Sequence, residues 1–387
     1  MSKKMHLQTL ATAVAVAASA NAWAVEPQAI DIGGFRFIPT LNISENHDDN
    51  IFAKENNEQS SWVTSITPTF VLSAETAKSG YQIKYSLDRD IFHSAHAADN
   101  TDHHLTGEAA FAFDARNRLK LQAGYHKTED TVDTAVDGEL DKFTTKNVGG
   151  VYSYGAETAR AQVDFGANHM RKRTDNSGNI NAEKEYDATT LNSIFYYRVA
   201  PKTKALAEVR HTKYDYVQRT STLDATNMAY LVGATWEATA RTTGTVKFGY
   251  EEKDFDSSLR KDRESPMWEV GVSWAPRTYS VFNLNARRAF DEGDDGASVI
   301  KSQGFDASWK HYWLERLYSE VSYSMTEKKY QDITRTDDLQ TFGLGLTYEA
   351  RRWLDIGVGY KYSENDSSLR GESYERNIVG VSVTGSL

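Results

Sequence analysis

The chain has no cysteine among its 387 residues. That excludes disulfides and thiolate metal sites, and it suits a protein that crosses an oxidising compartment before folding. Beyond the N-terminus there is no run of about 18 apolar residues, so no segment reads as a membrane-spanning helix. Mean hydropathy is negative, at -0.59. Basic residues are in the minority, 44 against 54 acidic ones, which argues against a nucleic-acid partner. No G-x-S-x-G elbow is present, and nothing marks out a Ser, His and acid set for acyl transfer. Neither an enzyme nor a cofactor or metal centre is expected.

The first residues carry an address. Lys3 and Lys4 form a positive start, Leu10 to Ala20 a short apolar stretch, and Ala22-Trp23-Ala24 a small-residue cleavage site. Residues 1–24 read as a cleaved signal peptide, and 25–34 as a short periplasmic leader. Loss of the signal removes two lysines and no acid, so 42 basic residues face 54 acidic ones and the net charge moves from -10 to -12.

What fills the rest is a rhythm. An alternating apolar/polar run, a very short turn, a second alternating run and a long acidic loop recur about nine times. Tyr81-Gln82-Ile83-Lys84-Tyr85-Ser86-Leu87 shows the two-residue period, which puts one stripe on each face of a strand. Leu105 to Phe113, Leu119 to Tyr125, Met228 to Trp236, Trp268 to Trp274 and Leu354 to Tyr360 repeat it. Short connections lie near 114–117, 155–158, 201–202, 240–241, 276–277 and 350–352. Long ones lie near 45–61, 93–103, 128–142, 172–186, 213–226, 253–265, 290–299, 326–338 and 363–374. This is the pattern of an all-β fold: a single antiparallel transmembrane β-barrel of about 18 strands over 35–387, with short periplasmic turns and long extracellular loops. The 21 Tyr and 8 Trp fit interfacial belts, with Trp62, Trp268, Trp274 and Trp353 near strand ends. Propellers share the repeat length of about 40 residues, but their four-stranded blades and signatures are absent. The final strand puts Val379, Val381 and Val383 on one face and stops at Leu387, where barrels commonly end in an aromatic residue.

The same period assigns an inward face. Lys84, Asp88, Glu108, Lys120, Arg160, Asp164, Arg198, Glu208, Arg210, Lys247, Glu269, Arg287, Glu320 and Lys361 are expected to line the lumen. Their mixed signs fit either a hydrated wall whose charges pair across strands or a surface that hydrogen-bonds a passing polar polymer. No single-ion filter is expected. Strand glycines, among them Gly233, Gly249 and Gly345, mark bends in the wall. His93, His96, His103 and His104 crowd the second long loop and read as a solvated surface. Asp48-Asp49, Asp294-Asp295 and Asp337-Asp338 read as loop carboxylates, solubilising or sharing divalent cations with lipopolysaccharide.

Gly34 to Ile43, followed by Asp48-Asp49-Asn50-Ile51-Phe52 and then by Trp62 to Pro68, resembles the opening of the outer-membrane family called putative β-barrel porin 2. The resemblance implies a large bacterial outer-membrane barrel that serves as the exit for a secreted exopolysaccharide or capsular polysaccharide. It also implies a periplasmic polysaccharide-export protein as partner, and a setting among outer-membrane lipids and lipopolysaccharide. Asp48, Asp49 and Phe52 are then a loop anchor at the end of the first strand. Two other readings stand beside export. One is a general or oligosaccharide-specific diffusion porin, which an in-folded constricting loop with a basic track favours. The other is a structural or adhesive barrel, which a plugged lumen favours.

Overall fold

The computed structural model describes residues 29–386, apart from 133, 137, 138 and 240. The proposed signal peptide and residues 25–28 of the leader lie outside the described residues. The strands in chain order begin with β1 (Ile30–Ile32), β2 (Phe35–Asp48), β3 (Ser61–Glu75), β4 (Ser79–Phe92), β5 (Asn100–Ala112) and β6 (Asn117–Asp130). Then come β7 (Asp141–Tyr154), β8 (Ala161–Thr174), β9 (Tyr186–Ala200), β10 (Thr203–Tyr216), β11 (Ala225–Thr239), β12 (Thr242–Phe255) and β13 (Arg263–Arg277). The wall ends with β14 (Ser280–Glu292), β15 (Val299–Leu314), β16 (Leu317–Tyr330), β17 (Thr336–Arg351), β18 (Leu354–Ser367) and β19 (Tyr374–Ser386). From β2 onward each strand pairs antiparallel with the next. β19 returns to β2, from Ile378 opposite Asp48 to Ser386 opposite Thr40, so 18 strands close on themselves.

Closure fixes the dimensions. Following the Cα partners through every ladder returns to β2 displaced by 22 residues along the chain. Eighteen strands with that stagger tilt by about 40° and make a wall about 35 Å across, backbone to backbone. A tilted strand of 14 residues stands about 35 Å tall, against an apolar band of about 25 Å. The strands therefore run past the membrane. The outer connections are shorter than the sequence suggests: L1 (49–60), L2 (93–99), L3 (131–140), L4 (175–185), L5 (217–224), L6 (256–262), L7 (293–298), L8 (331–335) and L9 (368–373). Polar residues expected in loops continue the ladders beyond the apolar stretch of the strands.

The alternation places the apolar stripe outside. Val232, with 65% of its surface exposed, stands between outward Ala207 and Phe248. Val358 and Leu346 pair on the same face. Aromatic rings mark the inner interface: Trp274 stacks with Phe282 at 5.2 Å, and Phe282 with Trp309 at 5.8 Å. On the opposite wall Phe37, Phe70 and Tyr85 stack at 6.1 and 6.5 Å. Trp353 lies exposed in an inner turn, and Trp62 meets His47 at the outer end. On the inner face, a Cβ at Gly249 would lie 1.8 Å from the Tyr230 carbonyl oxygen, and one at Gly233 would lie 2.0 Å from that of Val246. Only glycine lets β11 and β12 approach so closely.

One element was not foreseen. β1 pairs with β2 at Ile30–Phe37 and Ile32–Phe35, through a two-residue turn of Gly33 and Gly34, both with positive φ (+58° and +92°). β3 already holds the other edge of β2 at Arg36–Ser73. β1 therefore extends the track that β19 leaves at Ser386, and it seals the inner end of the seam.

Candidate functional site

Four inward side chains form a closed square on the β10–β13 wall. Arg210 donates to Glu208 at 2.7 Å and to Glu269 at 2.9 Å, and Lys247 donates to the same two carboxylates at 2.8 and 3.1 Å. Two cations and two anions cancel, so this stretch of lumen offers polarity without net charge. Other expected lumen residues sit in smaller sets. Lys120 faces Glu108 at 3.5 Å, and Asp88 faces His104 at 3.7 Å. Glu320 stands directly opposite Lys310, Arg287 bonds Asp291 at 2.8 Å, and Asp164 lies opposite Ser153. Lys84 lies between Val71 and Thr106, and Lys361 between Gly343 and Ile378.

Two arginines serve the inner turns instead. Arg160 lies in the connection before β8, where the two-residue period no longer applies, and its guanidinium stands 5.2 Å from the ring of Tyr197, which faces outward. Arg198 donates to the carbonyls of Pro201 (2.6 Å), Ala159 (3.3 Å) and Glu157, tying two turns together. The histidines also part company. His103 points outward to the Tyr85 hydroxyl at 2.9 Å, while His104 points inward to His126 at 3.0 Å. His93 lies against Thr64, and His96 against Asp99.

The Asp48-Asp49-Asn50-Ile51-Phe52 stretch locks the outer end of the seam. Asp48 is 3% exposed and takes the Arg376 guanidinium on both oxygens, at 3.1 Å from Nε to Oδ1 and 2.5 Å from Nη2 to Oδ2. It also accepts the Asn50 N–H. Asp49 accepts the backbone and side-chain N–H groups of Asn377 at 2.6 and 2.8 Å. Asn50, fully buried, donates to the carbonyls of Lys54 and Glu375, both at 2.9 Å. Ile51 packs with Val63, Phe92 and Ala98, against Phe52 and Ala95. Side chains of the first long strand and its loop thus close the ladder to the last strand with charge-assisted bonds.

Three carboxylates of the other two acidic doublets are engaged as well. Asp337 is bonded by Arg335 at 2.8 Å and by the Ser367 hydroxyl at 2.6 Å. Asp294 meets Lys184 of L4 at 3.1 Å, and Asp295 meets Arg335 of L8 at 2.6 Å. Burial opposes the charge on Lys184, but Asp294 and Asp141 outweigh it and raise its ammonium above the usual range.

Those contacts reveal where L7 runs. Glu292 accepts the Tyr216 hydroxyl of β10 at 2.8 Å and the fully buried Lys253 ammonium of β12 at 2.5 Å. Phe290 and Val299 pack on Ala225 and Phe255, inward residues of β11 and β12. The tip then reaches L4, past L5 and L6. L7 and the strand ends beside it are folded into the mouth, across the β9–β13 side. The cause is local. β13 and β14 pair only as far out as Trp268–Arg288. The next outward rung falls on Pro266, which has no N–H to give. β14 parts from β13 there while staying paired with β15, and the Phe290 N–H is met by the Glu251 carboxylate at 2.7 Å.

A closed, strand-built tube with an apolar outside, a polar inside and tied loops over one end defines a channel-type β-barrel of the outer membrane. The chain matches the family described as "Putative beta-barrel porin 2" over residues 24–387, and belongs to it. No curated protein matches the chain. Among solved structures it is similar to the outer membrane protein OpdK of Pseudomonas aeruginosa, at 12% identity and a TM-score of 0.49, covering 91% of this chain and 99% of that one. OccAB4 of Acinetobacter baumannii is 11% identical with a TM-score of 0.46, covering 94% and 100%. The FrpB iron transporter of Neisseria meningitidis is 11% identical with a TM-score of 0.46, over 85% of this chain; the chain spans 62% of that transporter's length.

Proposed function

We propose that this barrel is the outer-membrane exit for a secreted polysaccharide, supplying a hydrated, low-affinity path through the hydrocarbon. The observation that carries this reading is the self-cancelling square of Glu208, Arg210, Lys247 and Glu269 on the wall of a wide barrel. A mixed, neutral polar wall offers hydrogen bonds to a hydroxyl-rich chain and gives no ion a strong reason to stop. A wall about 35 Å across leaves room for a hydrated sugar chain. A pore of that bore would leak small solutes when idle, which is a reason for its mouth to be tied. Partners consistent with this role are the polysaccharide itself and a periplasmic export protein that lacks its own outer-membrane span.

The in-folded L7 also supports a second reading, a diffusion porin for oligosaccharides. A clean gene deletion separates the two. Under the export reading, polysaccharide is lost from the cell surface and accumulates in the periplasm. Normal secretion with slower uptake of a small saccharide refutes export and leaves the diffusion porin.

A further inference from the structure

We infer that the outer end of β14 with L7 is a gate, closed as seen here and opened by release of the tip from L4 and L8. This rests on the channel reading above and adds its regulation. On its β13 side the in-folded piece is held by side chains, not by a ladder, while on its β15 side the ladder runs on to Glu292–Val299, so the segment and the start of β15 form one hairpin end. Beyond Arg288 its partners are Glu251 on the Phe290 N–H, then Tyr216 and Lys253 on Glu292. At the tip the chain turns through Asp295 and Gly296, both with positive φ (+50° and +85°), which aims the two neighbouring carboxylates in different directions. Asp294 takes Lys184 on the L4 side, and Asp295 takes Arg335 on the L8 side.

The open arrangement has a destination. From Arg263 to Met267 β13 has no strand partner on its β14 edge; there Lys301 donates to the Glu264 carbonyl at 3.3 Å, the Ser265 hydroxyl donates to the Pro266 carbonyl at 3.1 Å, and Pro266 has no N–H. Outward movement of β14 gives its N–H and carbonyl groups that edge in exchange for the Glu251 carboxylate. Each state thus has named partners, as a two-state element requires. A chain arriving from the periplasm meets the segment from below. To displace the tip it must break the two ion pairs along with the Ser298 N–H bond to the Gln331 carbonyl at 3.2 Å, so removal of the pairs shifts the balance toward open.

The test uses the purified full-length protein in planar bilayers, with heat-modifiable gel migration as the check on barrel integrity. Asp294→Asn combined with Asp295→Asn is expected to raise the open-state occupancy about tenfold. In a second variant, Lys184→Cys with Asp294→Cys, a reducible bis-thiol cross-linker bridges the two positions. The chain has no other thiol to react. Cross-linking is expected to bring conductance to baseline, and reduction to restore it. An intact cross-linked barrel that conducts like the uncross-linked one overturns the gate. So does an Asn double variant whose conductance is unchanged, or a channel silent in every form. Secretion in the deletion strain reports on export alone, so the gate can stand while that reading falls.

Discussion

Replacing Arg376 by Met should unfasten the seam. Asp48 has 4% of its side chain exposed, and the arginine meets it on both oxygens, so removing the cation leaves a carboxylate with little water and one remaining backbone donor. Breaking such a pair from one side costs about 3–5 kcal/mol. The exposed pair Lys329–Glu327 sets the contrast: at 2.7 Å it is just as short, but with half of the lysine exposed its loss costs about 0.5 kcal/mol. Distance alone would rank them equal; burial separates them. Urea unfolding in lipid vesicles, followed by tryptophan fluorescence, reads both. Asp48→Asn added to Arg376→Met should recover part of the loss, because the buried charge goes with its partner. A cost below about 1 kcal/mol for Arg376→Met alone, or no recovery in the double variant, refutes the seam lock.

Arginine at outward Val232, midway along β11, should cost about 2–4 kcal/mol in the same assay, while Gly345→Arg on the inner face should leave the barrel assembled and narrower. If Gly345→Arg fails to assemble while Val232→Arg folds normally, inside and outside are exchanged. Glu208→Gln with Glu269→Gln leaves Arg210 and Lys247 uncompensated, and reversal potentials in a salt gradient should move toward anion preference. An unmoved reversal potential places the square off the permeation path.

The strands were legible because a two-residue period survives any rearrangement of loops. Tyr81 to Leu87 states which side chains face lipid, whatever the neighbour. The same rule fails at Arg160, where the chain has already turned. A period names a face but not a partner: nothing in the run from Asp48 to Phe52 announces Arg376 and Asn377, which arrive only when the last strand reaches the first. The acidic doublets read as solvated for the same reason. For Asp294 and Asp295 the partners Lys184 and Arg335 lie on other loops, and the curvature of a closed wall brings them near; Asp337 meets Arg335 two residues back, a pair whose geometry depends on how the hairpin turns. Pro266 was the one local signal for the departure of β14. It lies in a run that otherwise alternates well, so its missing N–H matters only once the β13–β14 register is known.

Seen from the periplasm, the barrel is a ring of eight short turns that differ little from one another, each set a few residues below an aromatic belt. Rotation of that ring by one hairpin would leave its outline nearly unchanged. β1 removes the ambiguity. Its double-glycine turn adds a short extra strand at one position on the rim, beside the inner end of β19. A body that meets the rim in one fixed rotation has there a notch to register against, and the ring carries its own mark of where it begins.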